Sequence, residues 1–275
     1  VQNLSAVTAI SVGGAHICAI SDGDVQCWGS ASHSQLVHGT SDWYTPSWSS
    51  TIEVSVEETS NWENAESPDI VMHSTGLATA IWSRYNGISF VIQASTSEDG
   101  GAWSTPIEIS DPQPGTGDDA WEPQLVVDSN GLVTAVWEKT NADSGSTIQS
   151  SHSQSGGAWS TPVNVSDSSI STWAYSPQLT VDSNGLVTLV WLEDANGRSV
   201  KSSSSQNGGQ WSSPAILSNT NSDVDTPQIA VDSTGLVTAI WAEYDGSYYV
   251  IRTRNSQNGG AWSATVNLSD SGNAY

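Results

Sequence analysis

Sixteen residues, SPDIVMHSTGLATAIW, end at Trp82 and recur three times along the chain. The copies are EPQLVVDSNGLVTAVW ending at Trp137, SPQLTVDSNGLVTLVW ending at Trp191 and TPQIAVDSTGLVTAIW ending at Trp241. Successive tryptophans stand 55, 54 and 50 residues apart. A second word follows each copy: SEDGGAWSTP, SQSGGAWSTP, SQNGGQWSSP and SQNGGAWSAT, placing Trp103, Trp159, Trp211 and Trp262. A period of this size marks one supersecondary unit copied in tandem, with each unit burying its apolar surface against its neighbours.

Each unit reads as four strands. Gln124–Val127 is a short apolar run, and Asp128-Ser129-Asn130-Gly131 is a turn whose residue types tolerate positive φ. Leu132–Trp137 is β-branched and apolar on both faces. A polar loop leads to Ile148–Ser153, and Gly156-Gly157 turns the chain into a last strand over Trp159–Ser166. No segment carries a helical period. Inner strands apolar on both faces, with outer strands richer in Ser and Thr, fit sheets packed face to face around an axis. The expected fold is therefore all-β, a five-bladed β-propeller of four-stranded antiparallel blades. Its blades are expected at about 6–55, 67–110, 122–166, 176–218 and 226–269, with residues 1–5 as a ring-closing strand resembling VNLS at 266–269.

Blade one is the divergent unit. Its core, ISVGGAHICAISDGDVQCWG at 10–29, holds both cysteines of the chain, and SWSSTIEVS at 47–55 supplies its fourth strand. Asp22-Gly23 is a two-residue hairpin turn, so Cys18 and Cys27 fall opposite one another at a non-hydrogen-bonded position. Facing Cα atoms there lie within reach of a disulfide. A Cys18–Cys27 bridge is the expectation, ahead of a free buried pair. Zinc ranks last, because two thiols and one nearby histidine make a poor ligand set. A bridge implies an oxidising, secreted or cell-surface setting.

Composition narrows the partners. Lys and Arg number 6 against 29 Asp and Glu, a net charge of −23. Such a surface repels phosphate backbones and anionic lipid, which disfavours nucleic acid and membrane. The chain has no long apolar run and no leader-like start, so it reads as mature or trimmed, or cut from a larger parent protein. Asn3, Asn164 and Asn267 open glycosylation sequons, but these fall on the repeated outer strand, where repetition alone accounts for them.

GGAHICAISDGDVQCWG closely resembles one repeat of the regulator-of-chromosome-condensation type, over residues 10–29 only; the resemblance implies a structural role for His16 and no exchange activity. The four later units resemble repeats of secreted bacterial propellers, including lectin-type ones. Their second word is similar to the Asp-box of sialidase-like propellers but one residue shorter, and only Ser97–Trp103 keeps the aspartate, Asp99. In that family the box is a hairpin staple away from the active site, so the resemblance implies fold rather than catalysis.

Chemistry is expected where the loops leading into first strands meet those joining second and third strands. Ten of the fourteen tryptophans occupy repeated or strand positions and read as core. Trp62, Trp121 and Trp173 stand instead in leading loops beside acids and amides. A flat indole with carboxylate and amide neighbours suits a sugar ring, and an exposed one needs a use. The candidate carbohydrate contacts are Trp62, Trp121, Trp173, Tyr175, Asp118, Asp119, Tyr85 and Tyr244. Arg84, Asn86, Asp143, Asp194, Asn196, Asp245 and Tyr248 lie on the strand-joining loops. Sialidase chemistry needs three clustered arginines, and Arg84, Arg198, Arg252 and Arg254 are scattered. A two-carboxylate glycosidase needs one acid of raised pKa beside a partner, and no acid repeats at a first-strand start. No cofactor is expected; calcium at Asp118-Asp119 or Asp223/Asp225 is the nearest candidate, although the interleaved aspartate loop is absent. The sequence thus reads as a secreted, non-catalytic, lectin-like propeller that binds a glycan. A protein-binding adhesive module ranks second and a propeller glycoside hydrolase third.

Overall fold

The computed structural model describes residues 7–12, 16–21, 24–29, 54, 64–110, 118–141, 145–167, 172–195, 197–220 and 222–269, those up to 29 by backbone alone. The chain divides into two units, Val1–Glu53 and Val54–Tyr275. In the first, β1 (Val7–Val12), β2 (His16–Ser21) and β3 (Asp24–Gly29) form an antiparallel sheet in that order. Its register sets Cys18 opposite Cys27, as the hairpin reading expects. The side chains of Cys18 and Cys27, the fourth strand expected at 47–55 apart from Val54, residues 1–5 and Trp62 lie outside the described residues.

The second unit holds four sheets, the expected blades two to five. They are β4 (Ala65–Met72), β5 (Leu77–Tyr85), β6 (Phe90–Glu98) and β7 (Ile107–Glu108); then β8 (Ala120–Val127), β9 (Leu132–Asn141), β10 (Gly145–Gln154) and β11 (Val163–Asn164). Next come β12 (Trp173–Val181), β13 (Leu186–Asp194), β14 (Arg198–Gln206) and β15 (Ala215–Ile216), and finally β16 (Val224–Val231), β17 (Leu236–Tyr244), β18 (Tyr249–Gln257) and β19 (Val266–Asn267). Each sheet is an antiparallel meander, and one parallel pairing of Ser146 with Trp173 joins blades three and four.

The repeated words have local causes. Asp128 Oδ1 accepts the amides of Asn130 at 2.8 Å and Leu132 at 2.9 Å, and Asp182 and Asp232 close their turns the same way. Gly185 adopts φ 78°, and a Cβ there would sit 2.4 Å from Asn207 Oδ1, so both backbone freedom and space demand glycine. The second word binds its own hairpin back to that turn. Ser205 Oγ donates to Gly209 O at 2.7 Å, and Gln206 Nε2 donates to Asn184 O at 2.8 Å. Gly156, Gly208 and Gly259 let this hairpin reach the preceding blade: a Cβ on Gly259 would lie 2.9 Å from Leu186 Cδ2.

Packing then links the blades in series. Trp137 packs with Ile81 and Ile92 of blade two, Trp191 with Val136 and Ile148 of blade three, and Trp241 with Val190 and Val200 of blade four. All three indoles are buried, and each Nε1 finds an acceptor: Gln149 Oε1 at 3.2 Å, Glu193 Oε2 at 3.2 Å and Glu243 Oε2 at 2.8 Å. The two glutamates are themselves paired, Glu193 with Lys201 and Glu243 with Arg252 at 3.4 Å, which keeps their charge tolerable in the interior. The far face of blade five differs. Ile251 and Leu268 are 37% and 59% exposed there, whereas Val200 and Leu217 at the same positions in blade four are fully buried.

Each first strand also carries one bulge. Ser67, Glu122, Ser176 and Thr226 adopt φ of 54°, 48°, 52° and 49°, and each precedes a proline. A residue before proline is normally extended, so this conformation is strained. A bulge re-aims the side chain it carries.

Candidate functional site

The sites of interest gather at one end of the sheets, here the mouth end, where first strands begin and second strands finish. At the corner of blades two and three, Trp121 stacks on Phe90 with centroids 3.9 Å apart, and Tyr85 flanks the same ring at 5.4 Å. Asp119 Oδ1 accepts the Phe90 amide at 2.7 Å, and Asp118 pairs with Lys139 at 3.3 Å. Trp121 and Asp119 thus tie blade three to Phe90 of blade two, while the Asp118–Lys139 pair lies within blade three. Among the described residues no group of three His, Cys, Asp or Glu is placed to hold a metal.

Between blades three and four the chemistry changes. Glu138 follows Trp137 on β9 and faces Trp121 across the ladder, one residue from the bulged Glu122. Burial lifts the Glu138 carboxyl to about 7; a hydrogen bond with Ser146 partly opposes the shift, and the charge of Glu122 adds to it. Ser146 is held in place by its Oγ–H donating to Ala174 O at 2.7 Å and its amide donating to Thr172 O at 2.9 Å. Trp173 stands beside this corner, 45% exposed. A carboxyl raised by burial, a second acid on a strained bulge and an open indole therefore share one corner.

A second constellation joins blades four and five. Arg198 pairs with Asp223 at 3.3 Å, donates to Val224 O at 3.3 Å and lies over the Tyr175 ring at 5.9 Å. Tyr249 donates its hydroxyl to Asp223 and packs on Tyr244 at 5.6 Å. Burial raises the Tyr175 phenol; Arg198 opposes this, while Asp194, Asp225 and Asp223 reinforce it. Asp245 caps its own loop by accepting the amides of Ser247 and Tyr248, which holds its carboxyl low.

The expected contacts are thus divided. Trp173 and Tyr175 lie on β12 between the two constellations, Tyr244 stands at the second, and Trp121, Tyr85, Asp118 and Asp119 are engaged in the blade corner. Substitution separates the two indoles: Trp121→Ala is expected to lose about 2 kcal/mol or more, and Trp173→Ala less than about 0.5. Urea unfolding measures both, and equal losses would contradict the division.

Glu122 and Glu138 were not singled out by sequence reasoning, which looked for a repeated acid. The available signal was the opposite. At the position of Glu138 the other blades carry Ser83, Leu192 and Ala242, and at that of Glu122 they carry Ser67, Ser176 and Thr226. Blade three alone is acidic at both places.

No family model matches the chain, and no curated protein matches it. Solved structures do. The GH93 α-L-arabinofuranosidase of Fusarium graminearum, solved with arabinobiose, is 15% identical at a TM-score of 0.53, over 74% of this chain and 66% of that one. The α-L-arabinanase of Penicillium chrysogenum is 14% identical at 0.54, over 75% and 67%. The NanB sialidase of Streptococcus pneumoniae is 13% identical at 0.52, over 75% and 52%, so this chain spans about half of it. The likeness establishes a β-propeller. It also corrects the expectation of a non-catalytic, lectin-like protein: these propellers of like fold are glycoside hydrolases, the reading ranked last from sequence.

Proposed function

We propose that the chain is a glycoside hydrolase whose active centre lies at the mouth end of blade three. Its substrate is a neutral glycoside of the arabinofuranoside kind. The observation that carries this reading is the adjacency of Glu138 and Glu122, two acids that blade three alone possesses. Glycosidic cleavage needs one carboxylic acid to protonate the leaving oxygen and one carboxylate to assist attack at the anomeric carbon. Glu138 is protonated up to about pH 7 by its burial and so fits the first role. Glu122, exposed and re-aimed by the bulge, fits the second. The Glu138 proton passes to the departing sugar oxygen as the C–O bond breaks, and water supplies the new anomeric hydroxyl. Trp173 offers a ring face to the sugar. A neutral sugar is favoured over an anionic one because Arg252 is tied to Glu243 and Arg254 to Thr265, leaving no triplet of arginines for a carboxylate.

Purified chain is expected to release arabinose from arabinan oligosaccharides and to leave sialyllactose intact. Release of sialic acid, or no turnover of any arabinofuranoside, would overturn the reading.

We also infer that residues 6–55 supply a fifth blade, supported by the antiparallel meander of β1, β2 and β3. The Cα register, which sets Cys18 opposite Cys27, supports a bridge between them, and a bridge would suit a secreted protein. It would contribute on the order of 2–3 kcal/mol at most, because its loop is short. Alkylation of denatured, unreduced protein followed by intact mass is expected to show no labelled thiol, and two labels would exclude the bridge.

A further inference from the structure

Away from the mouth end, the sheets leave two clefts, of 640 Å³ between blades three and four and 380 Å³ between blades four and five. They are copies of one site. Thr134, Ser150, Ser160 and Trp211 line the first, and their repeat equivalents Thr188, Ser202, Ser212 and Trp262 line the second. Neither is lined by a carboxylate, in a chain that has 29; Arg254 lines the second, with its Nε–H donating to Thr265 Oγ1 at 2.8 Å.

The hydroxyls are the informative groups. Thr134, Ser150, Thr188 and Ser202 are each 95% or more buried, yet none hydrogen-bonds to another described residue. Their hydroxyls open onto the clefts rather than being sealed from them, so each repeated pair is available to donate to and accept from an occupant. Trp211 and Trp262 supply an apolar wall, each seated by its other side on the core. The junction of blades two and three lacks this chemistry. There Ala94 replaces the serine, Thr79 is already bonded to His73 at 3.0 Å, and Glu108 stands where the other clefts have Asn164 and Ile216.

We propose that the two clefts are accessory saccharide sites, each taking a stretch of a neutral glycan chain. The indole packs on the C–H face of a sugar ring, and the paired Thr and Ser hydroxyls exchange hydrogen bonds with its hydroxyls. The chemistry common to both clefts is hydroxyl and indole with no charge, and hydroxyls that both donate and accept match a polyol better than a peptide, whose backbone wants a strand edge. Two such sites on one chain would hold a polymer by avidity while the mouth end works on it.

The test uses the whole chain with nitrogen-15-labelled tryptophan, titrated with neutral hexasaccharides of arabinose, xylose and glucose to about 20 mM, a range set by weak single-site binding. The Trp211 and Trp262 indole signals are expected to shift with at least one hexasaccharide, while Trp159, at the junction without the hydroxyls, stays put. Ser150→Ala and Ser202→Ala, which remove hydroxyls that bond nothing in the protein, are expected to leave stability unchanged. Each should weaken binding at its own cleft about fivefold, the worth of one neutral hydrogen bond. Hydrolysis of a small aryl glycoside should be unaffected by either. Unmoved indoles with every hexasaccharide, shifts equal at Trp159, or alanine variants that bind as well as the parent would overturn the proposal. The readout is binding, so it stands or falls separately from turnover at Glu138.

Discussion

Glu138→Gln should make the protein more stable and less active at once. Burial holds the Glu138 carboxyl at about 7, against an ordinary value of 4.5. Between those values the folded state binds a proton that the unfolded state has released. Stability is therefore fully present below pH 4.5 and lost as pH rises through 7. The loss above pH 8 is roughly 3 kcal/mol. Glutamine occupies the same volume and never ionises, so the variant should exceed the parent by that order at pH 8 and match it at pH 5. Losing the proton donor should reduce turnover about 10²- to 10⁴-fold. Parent activity should itself decline on the alkaline side with a midpoint near 7. Thermal unfolding at pH 5 and 8 checks the first half. A variant no more stable than its parent at pH 8 would mean the carboxyl is not held neutral.

Trp191→Ala should be among the most damaging single changes. Its indole is fully buried between blades three and four, packs on Val136 and Ile148, and donates to Glu193. Truncation of such a side chain costs about 3–5 kcal/mol through the cavity it leaves. It also removes one of the hydrogen bonds that hold a buried glutamate beside Lys201. In a unit of this size the midpoint of melting should fall by roughly 10 °C. A loss below about 1 kcal/mol would show that the blades pack without it.

The architecture was readable because the repeat imposes the same physical demands again and again. The Asp-x-x-Gly turn, the Ser-x-x-Gly-Gly hairpin and the second-strand tryptophan each have a bonding reason that recurs at Asp128, Asp182 and Asp232, or at Trp137, Trp191 and Trp241. The same logic does not extend to the site. Acidic Asp118 and Asp119 beside Trp121 read as a ligand platform, but the structure engages them with Lys139 and Phe90. Only three-dimensional placement distinguishes a carboxylate facing a ligand from one bonding an amide in the next blade. Glu122 and Glu138 were hidden for the converse reason, since a site used once leaves no periodic trace. The strain at Glu122 was equally invisible, because proline at the following position argues for an extended residue, and the bulge overrides it.

The central claim is that Glu138 delivers the proton to the leaving sugar oxygen. Its most direct test compares parent and Glu138→Gln on two arabinofuranosides, one with an alkyl leaving group and one with dinitrophenol. An activated phenol departs without protonation, so the account predicts a loss of about 10²-fold or more on the alkyl glycoside and little loss on the dinitrophenyl one. Equal losses on both substrates, or none on either, would contradict it.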